Sequence, residues 1–430
     1  MPLSLFRWAV LAIAILPPVY YLVATFCAWD FFRKRREPSA DFAPPVSILK
    51  PLRGLEREAY ENLASFCRQD YPEYEILFAV DDERDPAIPV VEKVIHDFPK
   101  LPIRLVIGST IHATNNKVAK LCRLLPEARY ELLVMSDGDI RVEPDYLRRV
   151  VSPFRDPSVG AVTCLYRGMT DPNIWSELED LNLTTDWLAS TLVARKLHGV
   201  NFALGATIAV TRSCLAEIGG FEALADCAAD DYELGKRIAA RGYRVEVASC
   251  TVQAFCASGT ARDFFSHHLR WGVVIRHCRP WGYAGQLFTK GLPWSLAAAA
   301  LAPSRLAAIA YLGIPLAARL AMAFSFGVYG IKDPLLPRRW WLIPLRDAIE
   351  FLIWAVALFS NQVSWRESKY YVRRGRLIPV TPHSGTKPMF AIDHSRASGD
   401  PGRGDEVSVV GRKTNELRGK RHGILHRKTH

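Results

Sequence analysis

The sequence predicts an α/β protein built on a mostly parallel sheet, with apolar helices before and after the sheet domain. Between residues 44 and 262, short β-branched runs alternate with stretches of helical periodicity. This alternation is typical of crossover units whose parallel sheet is covered on both faces. Apolar segments at 8–29 and 291–331 flank this part of the chain. We therefore expect a sheet domain joined to membrane helices at both ends.

Composition excludes several classes of protein. The 430 residues include 55 Lys and Arg against 44 Asp and Glu, a net charge of +11, and 49% are hydrophobic. This ordinary apolar fraction argues against a channel spanning the bilayer along most of its chain, and against a disordered acidic protein. Nine scattered cysteines without a C-x-x-C pair are typical of reduced core thiols. The basic excess does not indicate nucleic-acid binding, because the apolar segments make anionic lipid the better partner.

Residues 1–36 predict a transmembrane anchor. No charged residue lies from Trp8 to Trp29. An apolar run of this length crosses roughly 30 Å of hydrocarbon. The Pro17-Pro18 pair is expected to kink the helix without preventing a span. Four basic residues end the segment, whereas Arg7 stands alone in front. The positive-inside rule therefore places the sheet domain in the cytoplasm.

Residues 286–365 predict a second set of transmembrane or interfacial helices. The apolar block from Gly291 to Ile331 is broken at Pro303, which indicates two helices in a hairpin. The segment from Trp340 to Ser360 is long enough to span, but charged residues make its first half amphipathic, so we favour an interfacial or re-entrant helix. These residues are Arg346, Asp347 and Glu350. Together the two apolar regions predict a multi-pass protein of the inner (cytoplasmic) membrane.

Residues 366–430 are predicted to form a basic, disordered tail. The last fifty residues are polar, lack periodicity and carry ten Lys and Arg against five acids. We expect no role for the tail beyond weak attraction to anionic lipid headgroups.

The sheet domain is expected to extend over residues 44–285. Seven short runs predict its strands: Val46–Leu49, Glu75–Val80, Ile103–Val106, Leu132–Met135, Ala161–Cys164, Ile208–Thr211 and Arg244–Ala248. Four stretches predict helices: Glu56–Arg68, Pro86–Phe98, Lys117–Leu125 and Asp231–Ala240. Ligands of parallel sheets lie at the carboxyl ends of the strands, so the residues after each strand are the candidates for a site. No glycine-rich phosphate loop follows a strand, which argues against NAD(P) enzymes and P-loop kinases.

Carboxylates follow two of the predicted strands. Asp81 and Asp82 come directly after the second run, and Asp137 and Asp139 follow the fourth. Helix capping or turn formation would explain one such pair, but two pairs on one sheet favour a shared site. The D-x-D spacing lets Asp137 and Asp139 approach one hard cation, Mg²⁺ or Mn²⁺, which shares its coordination shell with substrate phosphates.

A third acidic cluster opens a predicted helix. Asp230 and Asp231 begin this helix, where capping and the helix dipole are the alternative explanation for acidic residues. Gly219 and Gly220 lie just upstream and give a flexible approach that suits a loop closing over a substrate.

Arg270 and Trp271 end a helical stretch just before the second apolar block. Snorkelling and packing explain most such pairs, but at this position they would also clamp a diphosphate and line a channel for a lipid acceptor. The neighbouring His268 is left with two interpretations, a structural residue or one that faces the acceptor.

These clusters, in this order between apolar segments, resemble the ceramide glucosyltransferase family, and within it the bacterial branch that includes hopanoid-biosynthesis glycosyltransferases. The resemblance covers about residues 46–280 and extends more weakly to 376. It rests on the acid pair, the D-x-D, the Asp-Asp-Tyr that begins at Asp230, and the Arg-Trp pair. The family is similar to inverting glycosyltransferases with a GT-A (Rossmann-like) sheet, so the resemblance implies that fold here.

The resemblance also implies roles for the acidic residues. Asp82 matches the first family aspartate, near the nucleotide, and Asp81 stands beside it. Asp137 matches the second, and Asp139 completes a D-x-D for the metal and the diphosphate. Asp231 matches the third, which is the general base of the family.

The last family motif, (Q/R)-x-x-R-W, is matched only in part. Arg270 and Trp271 match its end, but His267 occupies the position of Gln or Arg. An imidazole can still hydrogen-bond or carry charge, and His267 and Asp230 are therefore retained as candidates on the acceptor side. Lys117 and Arg270 are candidate helpers that neutralise the leaving diphosphate.

Taken together, the sequence predicts an inverting membrane glycosyltransferase. It would transfer a hexose, glucose or N-acetylglucosamine, from a UDP-sugar to the hydroxyl of a ceramide-like or hopanoid lipid, with one carboxylate as base. The alternatives are a processive polysaccharide synthase, a prenyl-phosphate sugar transferase and, outside enzymes, a membrane-anchored protein that only binds the sugar nucleotide.

Overall fold

The computed structural model describes residues 2–34, 41–108, 111, 113–256, 258–365 and 368–380. The predicted basic tail from residue 381 onward lies outside the described residues, as do residues 35 and 36 of the basic run that ends the anchor.

Eight strands form the main sheet. They are β1 (Val46–Pro51), β2 (Tyr74–Val80), β3 (Ile103–Ile107), β4 (Leu132–Ser136), β5 (Ile140–Arg141), β6 (Val159–Met169), β7 (Thr207–Thr211) and β8 (Arg244–Phe255). Their order across the sheet is β3-β2-β1-β4-β7-β6-β8-β5. The pairs among β1 to β4 are parallel, as is β6 with β8, whereas β7 and β5 run antiparallel to their neighbours. The predicted α/β class with a mostly parallel sheet is confirmed, and all seven predicted strands are present.

Helices cover both faces of this sheet and continue beyond it. They are α1 (Pro2–Ile13), α2 (Leu16–Arg33), α3 (Ala59–Cys67), α4 (Ile88–Asp97), α5 (Asn116–Leu124), α6 (Tyr146–Val151), α7 (Ile174–Asn182), α8 (Leu188–His198), α9 (Arg212–Glu217), α10 (Asp230–Ala240), α11 (Ala261–Cys278), α12 (Pro280–Gly285), α13 (Gly291–Ala300), α14 (Arg305–Phe324), α15 (Leu336–Arg339) and α16 (Ile343–Phe359). A π-helical turn, Leu183–Trp187, joins α7 to α8, and another, Ser325–Gly330, follows α14. The four predicted helices are confirmed as α3, α4, α5 and α10.

The central strands are buried on both sides. In β2, Ile76 and Phe78 pack into one apolar cluster while Leu77 and Ala79 pack into the other, and all four are fully buried. Burial on both faces explains why the strand is continuously apolar rather than alternating. The second cluster also contains side chains of α2 and α14, so the apolar helices share a core with the sheet domain.

Two helical segments among the described residues are long and apolar enough to cross a membrane, Ser4–Arg33 and Arg305–Gly330. The first is interrupted between α1 and α2, just before Pro17. The interruption has a local cause, because Pro17 and Pro18 lack the backbone N–H groups that would continue the helix. The predicted hairpin is formed by α13 and α14, but α13 is only ten residues long.

The charged residues of α16 face the protein rather than water. Arg346 is 2% exposed and lies 2.8 Å from Asp186 of the π-helical turn. Arg319 of α14 lies 2.7 Å from Asp347 and 3.2 Å from Asp186. The charged residues of this segment therefore join α14 and α16 to the π-helical turn through partly buried ion pairs. The two buried guanidinium groups are tolerated because carboxylates neutralise them.

The prediction of a disordered segment from residue 366 is wrong for residues 368–380. They form β10 (Ser368–Arg373) and β11 (Arg376–Pro379), which together with β9 (Gln362–Trp365) make an antiparallel sheet. Arg374 and Gly375 between β10 and β11 both have positive φ, 50° and 76°, as a two-residue hairpin turn of type I′ requires. These strands were not predicted because their many charged residues obscure the alternation of buried and exposed positions that is typical of a strand.

Substitution of Gly330 is expected to destabilise the contact between the apolar helices. A Cβ at Gly330 would overlap the ring of Phe32 in α2, so Gly330→Ala should reduce stability by about 1–3 kcal/mol through overpacking. Thermal unfolding of the purified protein in detergent measures the effect. Gly313→Ala in α14 is the matched control, because nothing lies within 4 Å of its Cβ and it should be neutral or stabilising. Equal melting temperatures for the two variants would contradict the close approach.

Candidate active site

Acidic residues from two parts of the chain surround one lysine at the carboxyl edge of the sheet. The ammonium of Lys117, at the start of α5, lies 2.6 Å from Oδ1 of Asp137 and 3.9 Å from Oδ2 of Asp230. Burial acts to lower the pKa of Lys117, but Asp137 and Asp230, with help from Asp231, outweigh it and raise the pKa above its ordinary value. The lysine therefore stays charged and holds these carboxylates together.

Asn115 fixes the geometry of this cluster. Its side-chain oxygen accepts hydrogen bonds from the backbone N–H groups of Lys117 and Val118, which caps α5. Its amide nitrogen donates to Oδ1 of Asp230 at 3.0 Å and to the carbonyl of Cys227 at 3.1 Å. One buried side chain thus sets the start of α5 against the start of α10. The predicted site did not include Asn115, although an Asn before a helix is a recognisable cap signal.

The D-x-D pair lies in the turn after β4. The buried ammonium of Lys50 donates to the backbone carbonyl of Asp137 at 2.8 Å, which fixes this turn. Burial, with repulsion from Asp137 and Glu56, raises the pKa of Asp139 to about 7. Carboxylates that oppose one another's ionisation in this way fit a divalent cation, which would relieve the repulsion. Among the described residues no three His, Cys, Asp or Glu side chains are grouped to hold a metal, so such a cation would depend on oxygen ligands from elsewhere.

Asp231 lies against the backbone at Gly205. A Cβ at Gly205 would come within 2.8 Å of Oδ2 of Asp231, so only glycine allows this approach. Burial and the neighbouring Asp230 raise the pKa of Asp231 to about 6, while Lys117 opposes the rise. A carboxylate with this pKa is ionised at neutral pH and basic enough to accept a proton.

Tyr166 of β6 is a site residue that the sequence did not reveal. Burial raises the pKa of its phenol, and Asp231 and Asp137 raise it further, so the hydroxyl keeps its proton beside these carboxylates. A tyrosine in an apolar strand carries no signal that separates it from an ordinary core residue.

The first acid pair is divided between two environments. The carboxylate of Asp81 lies 2.5 Å from the ammonium of Lys120, a residue of α5 that is only 2% exposed. The side chain of Asp82 is 63% exposed and accepts a hydrogen bond from the backbone N–H of Arg84. Asp81 is therefore the member of the pair that is tied to α5, while Asp82 stabilises the local turn.

Helix α11 places Arg270 near the acidic cluster. Burial lowers the pKa of Arg270 to about 10, and the charges of Asp231 and Glu179 oppose this change. Its guanidinium lies 5.2 Å from the ring centroid of Trp365 in β9. Trp271 points in another direction, with its ring 5.3 Å from that of Trp187 in the π-helical turn.

His267, which departs from the family motif, has a carboxylate partner that the sequence did not predict. Its Nδ1 lies 3.0 Å from Oε1 of Glu179, a buried residue of α7 whose other oxygen accepts a hydrogen bond from the backbone N–H of Ser258. Burial acts to raise the pKa of Glu179, but the bonds from His267 and Ser258 lower it overall. The ring of His267 also packs 4.3 Å from that of Trp271.

His268 is resolved as a structural residue. It is 3% exposed, its Nδ1 lies 3.0 Å from the carbonyl of Phe264, and its ring stacks on Phe264 at 4.1 Å. Burial, with the nearby charge of Arg346, lowers the pKa of His268 to about 4, so the imidazole is neutral.

Loss of the Asn115 side chain is expected to weaken ligand binding more than a cap alone would. Asn115→Ala removes a helix cap worth about 1 kcal/mol and also releases Asp230. Asn173→Ala is the matched control, because Asn173 caps α7 in the same way. We expect similar losses of thermal stability, but weaker binding of Mn²⁺ with a nucleoside diphosphate only in Asn115→Ala. Equal binding by both variants would contradict the positioning role.

Comparison with known proteins adds an independent finding. A family model described as glycosyl transferase family 21 matches residues 9–378. The chain is 28% identical over 252 residues to ceramide glucosyltransferase 1 of Caenorhabditis elegans, covering 58% of this chain and 54% of that protein. It is 31% identical over 150 residues to a ceramide glucosyltransferase of Gibberella zeae, covering 33% and 28%. The chain thus spans about half the length, or less, of the curated relatives it matches.

Among solved structures, the chain resembles the mannosyltransferase PcManGT from Pyrobaculum calidifontis, solved in complex with GDP-Man and Mn²⁺. The TM-score is 0.49 and the sequence identity 22%, with 81% of this chain and 98% of that chain covered.

Proposed function

We propose that this chain, which belongs to glycosyl transferase family 21, transfers a hexose from a UDP-sugar to the hydroxyl of a membrane lipid. Membership of the family, together with relatives named ceramide glucosyltransferase, confirms the resemblance to ceramide glucosyltransferases. The GT-A class of the sheet domain is part of the proposal. The observation that carries the proposal is the convergence of Asp137, Asp230 and Asp231 around Lys117. Sequence positions about a hundred residues apart supply one acidic cluster at the ligand-binding edge of the sheet.

The donor side of the site is assigned to the D-x-D pair and to two basic side chains, Lys117 and Arg270. Asp137 and Asp139 would hold a Mg²⁺ or Mn²⁺ ion, which neutralises charge on the leaving diphosphate when it is bound. Lys117 and Arg270 add fixed positive charge in the same region, and Asp81, held by Lys120, contributes to the nucleotide side.

Asp231 is assigned as the general base. As the acceptor oxygen forms its bond to the anomeric carbon, the bond from that carbon to the diphosphate oxygen breaks, and the hydroxyl proton passes to Asp231. A single displacement of this kind inverts the anomeric centre. The pKa of about 6 leaves Asp231 ionised at neutral pH, which is the state that the reaction requires.

The acceptor is assigned to the side of the apolar helices. Helices α2 and α14 share a core with the sheet domain, so a lipid in the bilayer would lie close to the site. The rings of His267, Trp271 and Trp187 pack in succession beside Arg270. Trp187 also packs against the apolar cluster that contains residues of α2 and α14. We propose that the acceptor is a ceramide-like or hopanoid lipid. We further propose that the protein is a multi-pass protein of the inner membrane, with its sheet domain in the cytoplasm. Its basic residues would then lie near anionic lipid headgroups.

Lipid mass spectrometry tests the proposal directly. Lipids from cells with and without the protein should differ by a hexosylated lipid, and purified protein should form the same product from a UDP-sugar and the corresponding acceptor. A product built on a prenyl phosphate, or a polymer of several sugars, would contradict the assigned acceptor. Donor binding without any transfer would contradict the proposed enzyme activity and would indicate a protein that only binds the sugar nucleotide.

Removal of the Asp231 carboxylate is expected to abolish transfer with little change in donor binding. Asp231→Asn keeps the shape of the side chain but removes its basicity, so the transfer rate should fall below a few per cent of wild type. The wild-type rate should also decline as pH falls through about 6, because protonation of Asp231 removes the base. Steady-state rates and donor titration measure both effects. Transfer at wild-type rate by Asp231→Asn would overturn the assignment.

Removal of divalent metal is expected to stop the reaction. Chelation with excess EDTA should silence transfer, and added Mg²⁺ or Mn²⁺ should restore it. Asp139→Asn should raise the metal concentration needed for half-maximal activity, whereas Asp156→Asn is the control because that half-exposed carboxylate pairs with Arg244 and is not part of the candidate site. Full turnover in excess EDTA would exclude the assigned role of Asp137 and Asp139.

A further inference from the structure

The C-terminal sheet, β9 to β11, packs onto α11 and onto the loop that leads into α10. Val363, Val372 and Leu377 of this sheet are buried in one apolar cluster with Val273 of α11 and Ala228, which lies just before α10. The sheet follows the apolar helices in the chain, yet it returns to the part of the molecule that holds Arg270 and Asp231.

The edge strand β11 is hydrogen-bonded to the loop that leads into α10. The backbone N–H of Leu377 donates to the carbonyl of Asp226 at 2.9 Å, and the N–H of Ala228 donates to the carbonyl of Gly375 at 2.8 Å. Cys227 and Arg376 form a bridge between these bonds. Because Asp230 follows only two residues after this contact, β11 sets the position of the acidic end of α10.

The other edge of the sheet is fixed on α11. Arg276 donates to the carbonyl of Ser360 and to the side-chain oxygen of Asn361, both at 2.6 Å. His277 also contacts Asn361, at 3.1 Å. These bonds hold the start of β9 beside the helix that carries Arg270.

At the end of β9, Trp365 lies under the guanidinium of Arg270, 5.2 Å from the ring centroid. Within the described ranges Arg270 makes no hydrogen bond or ion pair, so this aromatic face is the contact that orients its charge there. A cation–π contact of this kind holds the guanidinium in place while leaving its N–H groups available to an anion.

We propose that the C-terminal sheet is part of the active site, and that Trp365 is a positioning residue that presents Arg270 to the leaving diphosphate. The inference rests on the proposed function for the identity of that anion. Strand β11 acts at the same time on the loop before Asp230, so one sheet holds the base helix and the anion-binding arginine in register.

The test is made in the full-length protein in detergent, with UDP and the UDP-sugar titrated in the absence of acceptor. Trp365→Leu keeps apolar volume but removes the aromatic face, and it should weaken nucleotide binding about 3- to 30-fold. It should raise KM for the donor more than it lowers kcat. Trp365→Phe keeps an aromatic face and should recover most of the loss. If Trp365→Leu does not fold, Trp365→Met is the second non-aromatic variant.

Two controls separate positioning from a general effect on the sheet. Tyr371→Leu changes an exposed aromatic residue of β10 and should leave nucleotide binding unchanged. In Arg270→Ala, the additional change Trp365→Leu should have no further effect on binding, because Trp365 acts through Arg270. Additive losses in the double variant, or wild-type binding by Trp365→Leu, would overturn the inference.

Failure of the proposed function gives a different pattern. Nucleotide binding that depends on Trp365, with no transfer to any lipid, would refute the proposed acceptor and support the inference. Normal binding by Trp365→Leu alongside lipid transfer by the wild type would refute the inference alone. A wild-type protein that binds neither UDP nor a UDP-sugar would overturn both.

Discussion

The geometry of the candidate site depends on the ion pair between Lys117 and Asp137, around which the other acidic residues lie. Carboxylates brought together at a sheet edge repel one another, and partial burial makes their ionisation more costly. The lysine offsets part of this cost. The compensation is incomplete, because the pKa values of Asp139 and Asp231 are still raised. The remaining repulsion between these carboxylates favours the binding of a further cation.

The site is held from three directions that are distant in sequence. Asn115 connects α5 to α10, and Glu179 connects α7 to α11 through His267. The C-terminal sheet contacts α11 and the loop that leads into α10. Each connection uses a buried or partly buried hydrogen bond or ring contact, which constrains direction more strongly than apolar packing does. The helices that carry the candidate site are therefore oriented by elements on either side of the C-terminal apolar segment in the chain.

The apolar helices are integrated with the sheet domain rather than attached to it by a linker. Side chains of α2 and α14 share an apolar cluster with β-strand residues, and Arg319 and Arg346 bring α14 and α16 onto the π-helical turn at Asp186. Ion pairs of this kind, in which the guanidinium is buried, fix one relative arrangement of the elements they join, because a shift would leave a buried charge unpaired. This rigidity suits the proposed transfer to a membrane lipid.

The amino-acid sequence by itself determined the strands, the acidic positions after them and the apolar segments, because each depends on local patterns of hydrophobicity and charge. It also carried the family resemblance, which the family match confirms. Tertiary structure alone decided that Tyr166, Glu179 and Trp365 join the site, since each is brought there by contacts between distant segments. It likewise decided that residues 368–380 form strands, because their pairing and burial against α11 override a composition that indicates disorder.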